Sequence, residues 1–100
     1  MTNDLGRLPV RRSGVRLRDE RTQSLLEVPS SDAVYALNPT ARAVWELCDG
    51  MTTLDELALA FCQVFSVSRS QAVAEVGAVL AQLAEAGLVD WVENVEATAR

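Results

Sequence analysis

The twenty residues from Asp32 to Met51, DAVYALNPTARAVWELCDGM, leave the chain little local choice. Asp32 to Leu37 suits an extended strand, and Asn38-Pro39 then turns the chain into a helix. The Asn38 side-chain oxygen can cap free backbone N–H groups, and Pro39 sits where a missing N–H costs nothing and its fixed φ is already helical. Ala41, Val44, Trp45 and Cys48 follow at i, i+3, i+4 and i+7, the spacing of one buried helix face, and Asp49-Gly50 supplies a left-handed stop. Strand, capped helix and stop are written in one stretch, and the rest of the chain must pack against them.

The flanking segments read as short elements of both kinds. Residues 1–9 carry no periodicity and are expected to form a flexible arm. Within Val10–Arg18, the run Val15, Arg16, Leu17, Arg18 alternates apolar with charged, as a half-exposed strand does, with its arginines toward water. Ser24–Val28 is a second strand closed by Pro29-Ser30-Ser31, and Asp32–Leu37 is the third; such short connections favour an antiparallel meander. Thr53 with Glu56 is a capping box opening a second helix, whose stripe is Leu54, Leu57, Ala58, Phe61 and Phe65. Ser68 with Gln71 opens a third helix that runs to about Ala86. Gly87 can close it, with Leu83 and Leu88 spaced for the apolar contact of a Schellman ending. Leu88–Glu93 is a short strand and residues 94–100 a polar tail. The expected fold is therefore α+β, a winged helix-turn-helix with an N-terminal three-stranded antiparallel sheet, three helices and a short C-terminal strand. A chain of 100 residues supports one core, so residues 10–93 form a single domain.

Composition removes several function classes. There is no histidine, and Cys48 and Cys62 lie on separate helical patterns without CxxC spacing, so conventional zinc ligation is not expected and both cysteines read as reduced, buried thiols. No Gly-rich phosphate loop or cofactor motif is present, so neither catalysis nor a cofactor is expected. Asp55 and Glu56 are explained by the second helix's N-terminus, where negative charge is favoured. The apolar runs are short and interrupted, which predicts a cytoplasmic chain with no membrane partner. Residues 1–21 carry six arginines against three carboxylates, while the remainder carries three against eleven, for a net charge of −5. A winged helix invites a DNA reading. Yet between Ser68 and Gly87 the single basic residue is Arg69, set against Glu75 and Glu85, which cannot serve phosphates and base edges, so no nucleic-acid partner is expected.

The third strand and third helix are the unusual pair. Ala33, Tyr35 and Leu37 fall on one strand face and Val34 and Ala36 on the other, with no charge on either. As the last strand of a meander it should lie at an edge, unprotected by lysine, proline or a bulge. Either an extended peptide adds there as a further strand, or a terminal segment of the same chain covers it. On the third helix, Val76, Val79, Leu83 and Ala86 form one stripe, assigned to the core. Val73, Gly77, Leu80 and Ala84 form a neighbouring one, assigned to the wall of a groove facing the third strand. Gly77 costs about 1 kcal/mol against alanine inside a helix, which suggests a close approach to the backbone there.

Four segments in order, Y-A-L-N at 35–38, L-C-D-G at 47–50, T-L-D-E-L-A at 53–58 and L-A-Q-L-A-E-A-G-L-V at 80–89, resemble the PqqD-like family. This is the recognition element for precursor peptides that are made ribosomally and then modified. The resemblance runs from about Val15 to Val92. It implies a non-catalytic peptide chaperone in which the leader segment of a precursor peptide adds as a strand beside the third strand, against the third helix. It also implies a modifying enzyme acting in trans, often a radical SAM enzyme. Carried onto this sequence, the leader would pair with Asp32, Ala33, Val34, Tyr35, Ala36 and Leu37, with Val34 or Ala36 flanking it. Val73, Val76, Gly77, Leu80 and Ala84 would line the groove, and Arg69 would meet a leader carboxylate. The chain would act as a monomer or weak dimer. The competing reading is a winged-helix regulatory or dimerisation module whose free edge pairs with a second copy and binds no leader.

Overall fold

The computed structural model describes residues 7–93. In chain order these form β1 (Arg7–Arg11), β2 (Arg16–Glu20), β3 (Gln23–Val28), β4 (Ala33–Leu37), α1 (Pro39–Glu46), α2 (Leu54–Phe65), α3 (Arg69–Glu85) and β5 (Val89–Glu93). Residues 1–6 of the expected arm and 94–100 of the expected tail lie outside the described residues.

The helix ends are where local chemistry puts them. Asn38 Oδ1 accepts the Ala41 N–H at 2.7 Å, with Pro39 at the first helical position. Thr53 and Glu56 exchange both bonds of a capping box, Glu56 N–H to Thr53 Oγ1 at 3.1 Å and Thr53 N–H to Glu56 Oε1 at 2.9 Å. Ser68 Oγ accepts the Gln71 N–H at 3.1 Å. At the end of α3, Leu88 N–H donates to Leu83 O at 2.9 Å and Gly87 N–H to Ala84 O at 3.0 Å, the bond pair of a Schellman ending, and Gly87 takes the required φ of +78°.

Two expectations change. The strand expected over Val10–Arg18 is two strands, because the chain turns at Ser13-Gly14, where Gly14 has φ +89° and Val15 N–H reaches back to Arg12 O at 3.3 Å. The part before the turn, including residues 7–9 of the expected arm, is β1, paired antiparallel with β5 from Arg7↔Glu93 to Arg11↔Val89. Helix α1 also ends earlier, with Leu47 as its cap, and Gly50 does other work. Its N–H donates to Pro9 O at 2.9 Å, and a Cβ there would stand 3.3 Å from Val10 Cγ2, so the glycine admits β1 close to the chain after α1.

The second sheet has the order β2-β3-β4, all antiparallel, with Leu17↔Leu26↔Tyr35 in one cross-strand row. Leu26 is fully buried and joins a core with Val44, Trp45, Leu57, Ala58, Phe61, Ala72, Val76, Leu80 and Leu83, so one face of the sheet closes over the helices. Arg42 on α1 donates to Asp19 and, at 3.0 Å, to Ser24 Oγ, tying that helix to the β2–β3 pair. Helices α2 and α3 are bent 113° at their turn, within the helix-turn-helix range, and β1 and β5 form a separate two-stranded ribbon. Among the described residues no single helix is long and apolar enough to cross a membrane. The bent α2–α3 pair reaches the length and composition, but Leu57, Ala58, Phe61, Ala72, Val76, Leu80 and Leu83 of that pair are core residues. Replacing Leu26 with alanine should cost about 2–5 kcal/mol, read as a lowered urea midpoint with unchanged slope.

Candidate functional site

Strand β4 has a single sheet neighbour, β3, so its other side presents backbone N–H and C=O groups without a strand partner among the described residues. Its faces divide as the alternation requires. Tyr35 and Leu37 pack against the core, while Val34, 53% exposed, and Ala36 point to the outer face.

Beside this edge lies a groove of about 200 Å³. Strand β4 contributes Tyr35, Ala36 and Leu37; the start of α1 contributes Asn38 and Ala41; α3 contributes Val79, Gln82, Leu83 and Ala86; Leu88 closes the end. No lining side chain carries a charge, and three alanines make the room. The groove therefore suits the apolar side chains of an extended segment whose backbone pairs with β4.

Strand and helix are brought together as expected, but by a different flank of α3. Val76 is 0% and Leu80 1% exposed; both are core residues and do not line this groove. Val73 packs against the core, and neither Gly77 nor Ala84 borders the groove. A Cβ on Gly77 would meet nothing within 4 Å, so among the described residues nothing approaches its backbone closely. At 100° per residue, Val79 lies roughly 60° to one side of Val76, whereas Val73 and Gly77 lie roughly 60–100° to the other. The buried arc of α3 is thus centred on Ala72, Val76, Leu80 and Leu83, and the sheet meets the side carrying Val79, Gln82 and Ala86. Gln82 was the available signal: a long polar side chain between Val79 and Ala86 marks a flank that reaches solvent beside an apolar strip.

Arg69 is also elsewhere. It caps the turn between α2 and α3, its Nη2 lying 2.7 Å from both carboxylate oxygens of Asp55, and this pairing raises the guanidinium pKa through the hydrogen bond and the charge. Its charge is matched, and it does not line the groove. Asp32 precedes β4 in a left-handed turn, φ +57°, and lines a second cleft with Ala33 and Val34.

Among the described residues no group of three or more His, Cys, Asp or Glu side chains stands close enough to hold a metal ion. Cys48 is buried beneath α1, its Sγ 3.2 Å from Val44 O, and burial pushes the thiol pKa up to about 12.

The model of the family described as coenzyme PQQ synthesis protein D (PqqD) matches residues 17–89. The chain belongs to the PqqD family. Among curated proteins no sequence matches it. The solved structure "TbiB1 in Complex with the TbiA(beta) Leader Peptide" is similar to this PqqD-family chain in fold, with a TM-score of 0.71 at 18% identity, covering 81% of this chain and 94% of that one. The family match spans β3, β4, all three helices and Leu88, and so includes every residue that lines the groove.

Because a thiol at this pKa is almost wholly protonated near neutrality and is out of solvent's reach, Cys48 should resist alkylation in the native protein at pH 8. Mass spectrometry should find it modified only after denaturant is added.

Proposed function

We propose that this PqqD-family chain binds the leader segment of a ribosomally made precursor peptide by strand addition at β4, and presents it to a modifying enzyme in trans. The observation that carries the reading is the juxtaposition of an edge strand lacking a partner with an uncharged groove walled by α3. An added strand satisfies the edge's hydrogen-bonding groups, and every second side chain of the guest enters the groove. Family membership and the fold shared with TbiB1, a protein solved with a leader peptide bound, support the same reading.

In this reading the chain acts without chemistry or cofactor of its own. Its role is to raise the local concentration of the precursor beside the enzyme, which makes modification effectively intramolecular. Membrane and nucleic acid have no part in it: the basic residue of α3 is already paired with Asp55, and the arginines of β2 face Glu27 across the sheet. A chain working in the cytoplasm beside a newly made peptide suits all of this, and radical SAM enzymes are one class it would serve.

Val79→Arg places a charge in the groove while leaving the buried Val76, Leu80 and Leu83 intact. It should weaken binding of the leader from a precursor encoded beside this chain's gene by tenfold or more, about 1.4 kcal/mol, in fluorescence anisotropy, with unchanged circular dichroism. Arg69→Ala, outside the groove, should leave affinity unaltered. Equal affinity for both variants, or a stable dimer that excludes peptide, would remove the leader reading.

A further inference from the structure

The β4 edge has a second feature on the face away from the helices. A cleft of about 240 Å³ opens beside Val34, with Val28, Pro29, Ala33 and Val34 as its apolar surface and Arg16, Glu27 and Asp32 as its charged residues. Arg16, Glu27 and Val34 form one cross-strand row, so a strand added beyond β4 would continue that row directly into the cleft.

The charges decide what side chain belongs there. Glu27 is held by Arg18 at 2.7 Å and touches Arg16 at 3.7 Å, so it is largely neutralised within the sheet. The Arg16 side chain is 73% exposed at the mouth of this row. Asp32 stands at the start of the edge strand, and its carboxylate makes no ion pair or hydrogen bond within the described residues. The lining thus holds two carboxylates against one guanidinium, the unmatched one lies nearest the incoming strand, and the whole chain carries −5.

Resting on the leader-binding reading above, we propose that the guest strand is read on both faces: apolar side chains enter the inner groove, and an outward-facing lysine or arginine lies over Val34 with its charge at Asp32. A long cationic side chain fits such a cleft because its methylene stem covers apolar surface while its head stays beside the carboxylate and water. The alternation of a strand then fixes the spacing. The basic residue stands an odd number of positions from each apolar anchor.

Selection of a phage-displayed library of random linear peptides on the immobilised chain tests this. The expected result is a set of binders with apolar residues at alternate positions and Lys or Arg at an odd offset from them. Replacing that basic residue with glutamine in a synthetic copy should weaken binding about two- to fivefold, the range of an exposed ion pair. Asp32→Asn, which tolerates the left-handed turn as aspartate does, should abolish the basic preference while keeping the apolar one. Arg16→Ala should strengthen it by removing the opposing charge. Binders with alternating apolar anchors but no charge preference, or with acidic residues that are lost on Arg16→Ala, overturn the cationic subsite and leave leader binding standing. Absence of any alternating apolar pattern overturns both.

Discussion

The backbone of Leu88 is the joint on which the groove depends. Its N–H donates to Leu83 O at 2.9 Å and ends α3, while its carbonyl accepts the Trp45 indole N–H at 3.2 Å and the Arg12 N–H at 3.1 Å. One residue therefore fastens the last turn of α3 to α1 and to the chain leaving β1, and its own side chain lies against the groove's end. Arg11 stacks over the Trp45 ring at 5.6 Å and Arg12 pairs with Asp90 at 2.7 Å, closing the same junction from the wing side. The distance between α3 and β4 follows from this clamp, since Trp45 belongs to the helix that begins one residue after β4 ends.

With that distance held, β4 is left as an edge that the rest of the domain does not cover among the described residues. Soluble proteins commonly protect such a strand with charge, proline or a bulge, because open N–H and C=O groups recruit other chains. Here the protection is absent from Ala33 to Leu37, and the neighbouring helix offers small and apolar side chains at Val79 and Ala86. A binding site made this way recognises backbone first and side chains second. That suits a partner defined by being extended and locally apolar more than by one chemical group.

The two surfaces of β4 differ in surroundings by the period of the strand. Tyr35 and Leu37 pack against the core, whereas Val34 continues the row of Arg16 and Glu27 and Ala36 the row of Arg18 and Leu25.

Most of the fold was legible because its signals are local. A cap needs side chains within three or four residues of the backbone groups it satisfies, so Asn38, Thr53 with Glu56, Ser68 and Gly87 could be read directly, and with them nearly every helix boundary. The edge position of β4 followed from three strands joined by short turns. Two differences are local, the turn at Ser13-Gly14 and the end of α1 at Leu47, and the others concern partners distant in sequence. Pairing of β1 with β5 joins residues nearly the whole chain apart, and nothing in Arg7–Arg11 announces it. Arg69 meets Asp55 of the same chain because α2 and α3 fold back on each other. On α3 the amount of apolar surface could be counted, but its rotation could not. Val79 and Val73 flank Val76 at similar angles, and only the placement of the sheet on one side of the helix decides which becomes groove. The sequence by itself thus determined where most of the helices start and stop, since a cap is settled within a turn of backbone. Which face of each element meets which neighbour was decided by tertiary structure alone, because it depends on the simultaneous burial of Leu26, Trp45, Val76 and Leu88 in one core.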